Sequence, residues 1–276
     1  MDNLMLHRPV KRSFLRLQAG KWWFTNKRRI KWLFSASKPA RIRKELSLPY
    51  VVFTHATPLM RKLRNADMRL QTNKVINLRL AAERLNGIVL MPGETFSFWR
   101  TIGKPTRRKG YVDGMILFYD GYKPGVGGGL CQMSNLLYWM TLHTPLQVTE
   151  RHRHGYDVFP DAGRTQPFGS GATCAYNDMD LRIHNPTKQP FQLIVGLTEG
   201  KLVGEWRSSL PVNCRYEVVE KDHRIELKPC GGYVRSNSIY RRTYSLDEGE
   251  LLDEEFVAGN EAVMLYTPML EPVETE

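Results

Sequence analysis

The sequence predicts an α+β fold: antiparallel strands packed around a buried helix that begins at a Gly-Gly-Gly-Leu-Cys motif, with a β-hairpin-rich C-terminal part. Three observations carry this expectation. Residues 131–143, CQMSNLLYWMTLH, are almost wholly apolar beyond their first turn, and such a helix is buried nearly all round. Residues 73–86, NKVINLRLAAERLN, place Val75, Leu78, Ala82 and Leu85 on one helical face. Elsewhere, short alternating runs bounded by Gly, Pro and Asn read as strands, and no fixed-period repeat is visible.

Four segments follow: a basic aromatic arm over 1–47, a core domain over 48–206, the hairpin-rich part over 207–270 and the end of an acidic tail over 271–276. In the core, Asn73 is positioned to cap the first helix and Asn86-Gly87 to end it. A short strand, Ile88 to Met91, precedes the turn at Pro92-Gly93, and the alternation through Phe96 and Phe98 predicts another strand. A basic loop, Gly103 to Gly110, leads to a strand over Tyr111–Tyr119 and a hairpin at Asp120-Gly121. After the apolar helix, residues 146–159 alternate as a strand does, and Met179 to Val195 gives two more around Asn185-Pro186. Hairpins then follow over Tyr216–Glu226, Tyr233–Tyr244 and Glu254–Tyr266, with Gly231-Gly232 and Gly259-Asn260 as turns.

The chain has 276 residues, 42% of them hydrophobic and 25% charged, which excludes a disordered or fibrous class. Of its 40 Lys+Arg and 28 Asp+Glu, thirteen bases and two acids (Asp2, Glu45) fall within the first 50 residues, so the arm holds nearly all of the net +12. After Arg242 come ten acids and no base. Trp22, Trp23, Phe24, Trp32 and Phe34 interleave with Lys27, Arg28 and Arg29, a composition suited to an anionic membrane surface through residues 11–44. A solvated basic face is the alternative. Nucleic acid is disfavoured as a partner because no reading motif accompanies the charge. No apolar run is long enough to cross a bilayer, and Arg8, Lys11, Arg12 and Arg16 interrupt any secretory h-region. The expectation is a cytoplasmic protein, peripheral on the inner membrane face.

The chemistry centres on Gly127, Gly128 and Gly129, which lead into Cys131 at the first helical turn. Unpartnered N–H groups at a helix N-terminus stabilise a thiolate, which predicts a lowered Cys131 pKa. The glycines admit a substrate backbone, and Gln132 is a candidate oxyanion donor. On a strand, Glu150, His152 and His154 share one face, with Arg151 and Arg153 on the other, so a histidine base oriented by a carboxylate is expected there. Asp157 and Asp161 are further orienting candidates. The His-x-His pair with Cys131 is also a zinc pattern, and a structural basic edge remains a third reading. His143 suits the C-terminal dipole of its helix. Cys174, Cys214 and Cys230 lack comparable contexts and read as structural thiols. Glu94 and Ser97, in the turn before an aromatic strand, are secondary substrate contacts. No cofactor and no dedicated metal site are called for.

The stretches PGETFSFWR (92–100), GGGLCQMSNLLYWM (127–140), HTPL (143–146) and ERHRHGYDVFPD (150–161) resemble the VanW family, from about Leu48 to Tyr266. The resemblance implies an association with glycopeptide (vancomycin) resistance and peptidoglycan metabolism. It implies a cysteine acyltransferase of L,D-transpeptidase type, with Cys131 as nucleophile, His154 as the matching histidine and Arg151 as the motif arginine. The implied partner is a peptidoglycan precursor or stem peptide. The alternative is a non-catalytic accessory that binds a precursor or a wall enzyme at the inner membrane face.

Overall fold

The computed structural model describes residues 13–35, 37–60, 68–118, 121–157, 166–176, 178–229 and 232–268. The expected turn residues Asp120 and Gly231, together with Asp161 and Cys230, lie outside them. The architecture is α+β, with four α-helices and four sheets among the described residues.

Helix α1 (Phe14–Leu33) lies within the basic arm, where the sequence reading assigned no helix. Two short strands follow, β1 (Lys38–Pro39) and β2 (Ile42–Arg43), then the long strand β3 (Tyr50–Pro58). Helix α2 (Met68–Leu85) starts earlier than expected: Asn73 is no cap, and its side-chain amide donates to the Asp113 carbonyl at 2.7 Å from within the helix. Leu78, Ala82 and Leu85 are buried as the periodicity required.

Strand β4 (Ile88–Leu90) is followed by β5 (Glu94–Ser97), which ends sooner than the alternation suggested. Ser97 turns the chain into helix α3 (Phe98–Ile102), its hydroxyl accepting from the Arg100 N–H at 3.2 Å as an N-cap does. Strands β6 (Asp113–Phe118) and β7 (Gly121–Val126) form the expected hairpin. Helix α4 (Cys131–Leu142) begins at the motif cysteine.

The single strand expected over 146–159 is two short ones, β8 (Gln147–Glu150) and β9 (Tyr156–Asp157), separated by irregular chain. Strands β10 (Arg182–His184), β11 (Phe191–Thr198) and β12 (Lys201–Ser208) precede a meander of β13 (Cys214–Leu227), β14 (Tyr233–Ser245) and β15 (Leu251–Met264). Gly259 and Asn260 are not a turn. They lie inside β15, where Asn260 is buried and donates to the Asn237 side chain at 2.8 Å.

One sheet runs β2-β4-β11-β12-β3, a second β1-β5-β10-β8, and a third β13-β14-β15-β9. Helix α4 packs on β12 and β3. Along β12 the side chains alternate so that Leu202, Trp206 and Ser208 are buried, and Gly204 lets the helix lie close. A Cβ at Gly204 would stand 2.7 Å from Met140 Cε and 3.2 Å from Leu136 Cδ2. The buried Trp206 indole donates to Thr141 Oγ1 at 3.2 Å, so the core's largest side chain has its polar atom paired.

Candidate functional site

The glycine loop before α4 is built for close approach, and what approaches is the chain's own backbone. A Cβ on Gly128 would lie 2.2 Å from the carbonyl carbon of Gly114, and one on Gly114 would lie 2.3 Å from the Gly128 oxygen. Gly127 and Gly129 hold φ of +77° and +89°, which side-chain-bearing residues avoid. Asn77, buried on α2, locks the loop. Its amide donates to Gly128 O at 2.9 Å and Val112 O at 3.0 Å, while its oxygen accepts from Val112 N–H at 3.0 Å.

Cys131 is half-buried as a residue, but its sulfur turns inward, with the Cys174 carbonyl at 3.8 Å as its hydrogen-bond acceptor. The segment 171–175 lies across the first turn of α4 and is tied down there. Ser134 Oγ donates to Ala172 O at 2.6 Å, Ala172 N–H to Asn135 Oδ1 at 2.7 Å, and Thr173 N–H to the His152 carbonyl at 2.8 Å. Burial pushes the Cys131 thiol above its ordinary pKa, against the opposing pull of its hydrogen bonds. Burial pushes Cys174 well above as well, and the neighbouring Cys131 adds to it. The expected helix-terminus lowering is thus overridden: desolvation disfavours the thiolate more than this helix end favours it.

The histidines do not complete a pair with this thiol, because among the described residues no hydrogen bond joins Cys131 to His152 or His154. The expected strand ends at Glu150, so no strand face carries Glu150, His152 and His154 together. His152 Nε2 bonds Glu150 Oε1 at 2.9 Å. His154 is partly buried, and burial, then the adjacent Arg153, lowers its pKa and keeps the ring neutral at pH 7. Arg151 serves the scaffold: its Nε donates to Gly171 O at 2.8 Å, a second N–H meets Gly169 O, and its guanidinium stacks on Tyr138, 4.7 Å from the ring centre.

The remaining candidates are dispersed. Gln132 donates to Thr57 Oγ1 at 3.0 Å and Pro58 O at 2.9 Å, so its amide is turned toward β3 and away from the thiol. Glu94 accepts from Met91 N–H at 3.0 Å within its own turn. Ser97 donates to Asp180 Oδ2 at 2.5 Å. Asp157 accepts from Tyr266 Oη at 2.8 Å, remote from His152 in the hydrogen-bond network. His143 occupies the C-cap of α4, its Nδ1 bonding Trp139 O at 2.9 Å and its ring stacked 4.0 Å from Phe53. Burial lowers its pKa, so it meets the helix end through a neutral hydrogen bond. Among the described residues no group of three or more His, Cys, Asp or Glu is arranged to hold a metal ion.

Sequence reasoning named Glu150 but missed its partner, Arg28. The guanidinium of Arg28, buried on α1, makes a bidentate bridge to Glu150 with both contacts at 2.6 Å and also donates to the Asp178 carbonyl. Burial pushes the Glu150 carboxyl up, but Arg28 and His152 overcome it and leave the pKa below the usual carboxylate value. Asp180, which accepts from Ser97 and from Trp99 N–H at 3.0 Å, is raised by burial. A partner 122 positions away carries no local signal, so only the unusual buried arginine of α1 reveals the pair.

A family profile described as "VanW like protein" matches residues 73–207. The chain is 33% identical over 232 residues to the vancomycin B-type resistance protein VanW of Enterococcus faecalis, covering 84% of each chain. It is 32% identical over 145 residues to the uncharacterized protein YoaR of Bacillus subtilis, covering 52% of this chain and 46% of that one. No solved structure matches.

Proposed function

The chain belongs to the VanW family, and we propose that it is an accessory of vancomycin resistance and cell-wall metabolism. In this reading it acts at an anionic membrane surface on a peptidoglycan precursor or a wall enzyme. The observation that carries this is α1. Its Arg28 face is fixed to the body through Glu150, with Trp32 and Thr25 beside Trp99 and Tyr176. Its opposite side presents Leu15, Trp22, Trp23, Ile30 and Leu33 to solvent, with Trp22 68% and Trp23 60% exposed. Lys27 and Arg29 flank that apolar side, so exposed indole rings and basic charge are offered together to an anionic lipid surface. No helix of the described residues is long and apolar enough to cross a membrane.

The test is co-sedimentation of the full chain with phosphatidylglycerol vesicles at low salt. Wild type pellets with the vesicles, and Trp22→Ser/Trp23→Ser, which alters exposed side chains, stays in the supernatant. Wild type left in the supernatant removes the reading.

A second reading keeps Cys131 as an acyl-accepting nucleophile of L,D-transpeptidase type. The Glu150–His152 pair favours it, because an imidazole already oriented by a carboxylate is half of a Cys–His pairing. It requires the 171–175 segment to lift from the thiol. Exposure to a carbapenem followed by intact-mass measurement decides: an adduct on Cys131 supports it, and unmodified protein rejects it.

A further inference from the structure

A cavity of about 330 Å³ opens on the side of the molecule where the β1–β2 connection crosses from one sheet to the other. It is lined by Arg41, Arg43, Arg84 and Arg100, with Thr95 and Ser97 at its wall, and by no Asp or Glu. Each arginine is placed by a different element. Arg41 lies in the link between β1, held parallel to β5, and β2, held against β4. Arg84 is in the last turn of α2, and Arg100 is on α3.

None of the four forms an ion pair among the described residues. Arg43 donates to the peptide carbonyls of Asn86 at 3.1 Å and Glu83 at 2.8 Å, and Arg100 to that of Trp32 at 3.2 Å, so their charges stay uncompensated. Arg41 and Arg84 have no hydrogen bond among those residues. Several other arginines of the chain do meet carboxylates, as Arg28 meets Glu150, Arg207 meets Glu205 and Arg242 meets Glu254, whereas Arg151 and Arg182 bond to carbonyls and hydroxyls. Burial, then the like charges of Arg41 and Arg182, lower the pKa of Arg100, as expected where positive charges gather without an anion.

We propose that this cavity is a binding site for a phosphate or pyrophosphate group. Guanidinium forks match phosphate oxygens bidentately, and four converging cations suit a multiply charged phosphate better than a single carboxylate. Its volume lies at the small end of the range for ligand pockets. The site is separate from the α1 apolar face and from the Cys131 thiol. The bearer of the phosphate is either a soluble molecule or a lipid headgroup.

Calorimetric titration of the full chain with inorganic pyrophosphate at low salt tests it. Wild type binds, and Arg41→Ala/Arg84→Ala, which removes exposed side chains without hydrogen-bond partners, weakens binding ~10-fold or more. Trp22→Ser/Trp23→Ser binds pyrophosphate as wild type does, so failure of the membrane reading leaves this result intact. Flotation with phosphatidic acid vesicles, with and without pyrophosphate, separates the sources. Displacement that depends on Arg41 and Arg84 supports a lipid headgroup, and insensitivity supports a soluble phosphate. Absence of pyrophosphate binding to wild type, or equal binding to the arginine variant with an unchanged circular dichroism spectrum, overturns the proposal.

Discussion

Replacing Arg28 by Met tests how α1 is attached to the body. The substitution keeps much of the side-chain bulk and deletes both 2.6 Å contacts to Glu150 and the donation to Asp178. Glu150 is then left with His152 at 2.9 Å and the Asp180 N–H at 3.3 Å. Breaking a buried ion pair from one side costs about 3–5 kcal/mol. The Glu150 side chain is 20% exposed and keeps two partners, so a cost below that range, about 2–3 kcal/mol, is expected here. For a chain of this size that corresponds to a fall in Tm of about 4–10 °C. Trypsin cleavage around Lys27–Lys31 should accelerate in parallel as α1 loosens. The double variant Arg28→Met/Glu150→Gln removes the stranded charge and should recover most of the loss. Thermal unfolding with timed proteolysis measures both effects. A single variant within about 0.5 kcal/mol of wild type, or a double variant no better than the single, would show that the Arg28–Glu150 bridge does not hold α1 to the body.

Three further outcomes follow from the same geometry. Gly128→Ala drives a Cβ into the Gly114 backbone at 2.2 Å and should destabilise by at least about 1–3 kcal/mol, read from urea midpoints; a neutral result would reopen the loop to a substrate. Leu136→Ala empties a fully buried site beneath β12 and should cost about 2–5 kcal/mol in the same assay. For pH, His143, His55 and His154 have pKa values lowered by burial below the ordinary 6.5, so their contribution is present above that value. It is lost as pH falls from 6.5 through the depressed folded values, because the unfolded chain binds the proton first. The urea midpoint should therefore drop between pH 7 and 5, and His143→Phe should shallow that drop; an unchanged slope contradicts the assignment.

Much of the fold was legible because its elements have strong periodic signals. The apolar run of α4, the stripe of Leu78, Ala82 and Leu85 and the C-terminal meander all depend on local patterning, and they formed near the expected bounds. The errors arose where a side chain acts at a distance. Asn73 read as a cap by its type, yet it bonds to Asp113 from within the helix. Gly259-Asn260 read as a turn, but the long β14–β15 ladder carries both residues through, and the buried Asn260 amide donates across it to the Asn237 side chain. The cysteine site was legible as a helix start and illegible as an environment. Nothing near Cys131 in sequence shows that residues 171–175 cover it, and that cover sets its ionisation.

Whether Cys131 can act as a nucleophile turns on its thiol, which is sheltered beneath residues 171–175 and raised in pKa by burial. Peptide-resolved alkylation of the native chain by iodoacetamide across pH measures this at the atom concerned. Slow labelling of Cys131 is expected, with a half-maximal pH above the ~8.5 of a free cysteine. Rapid labelling with a midpoint well below that value would contradict it and restore an activated nucleophile at the helix terminus.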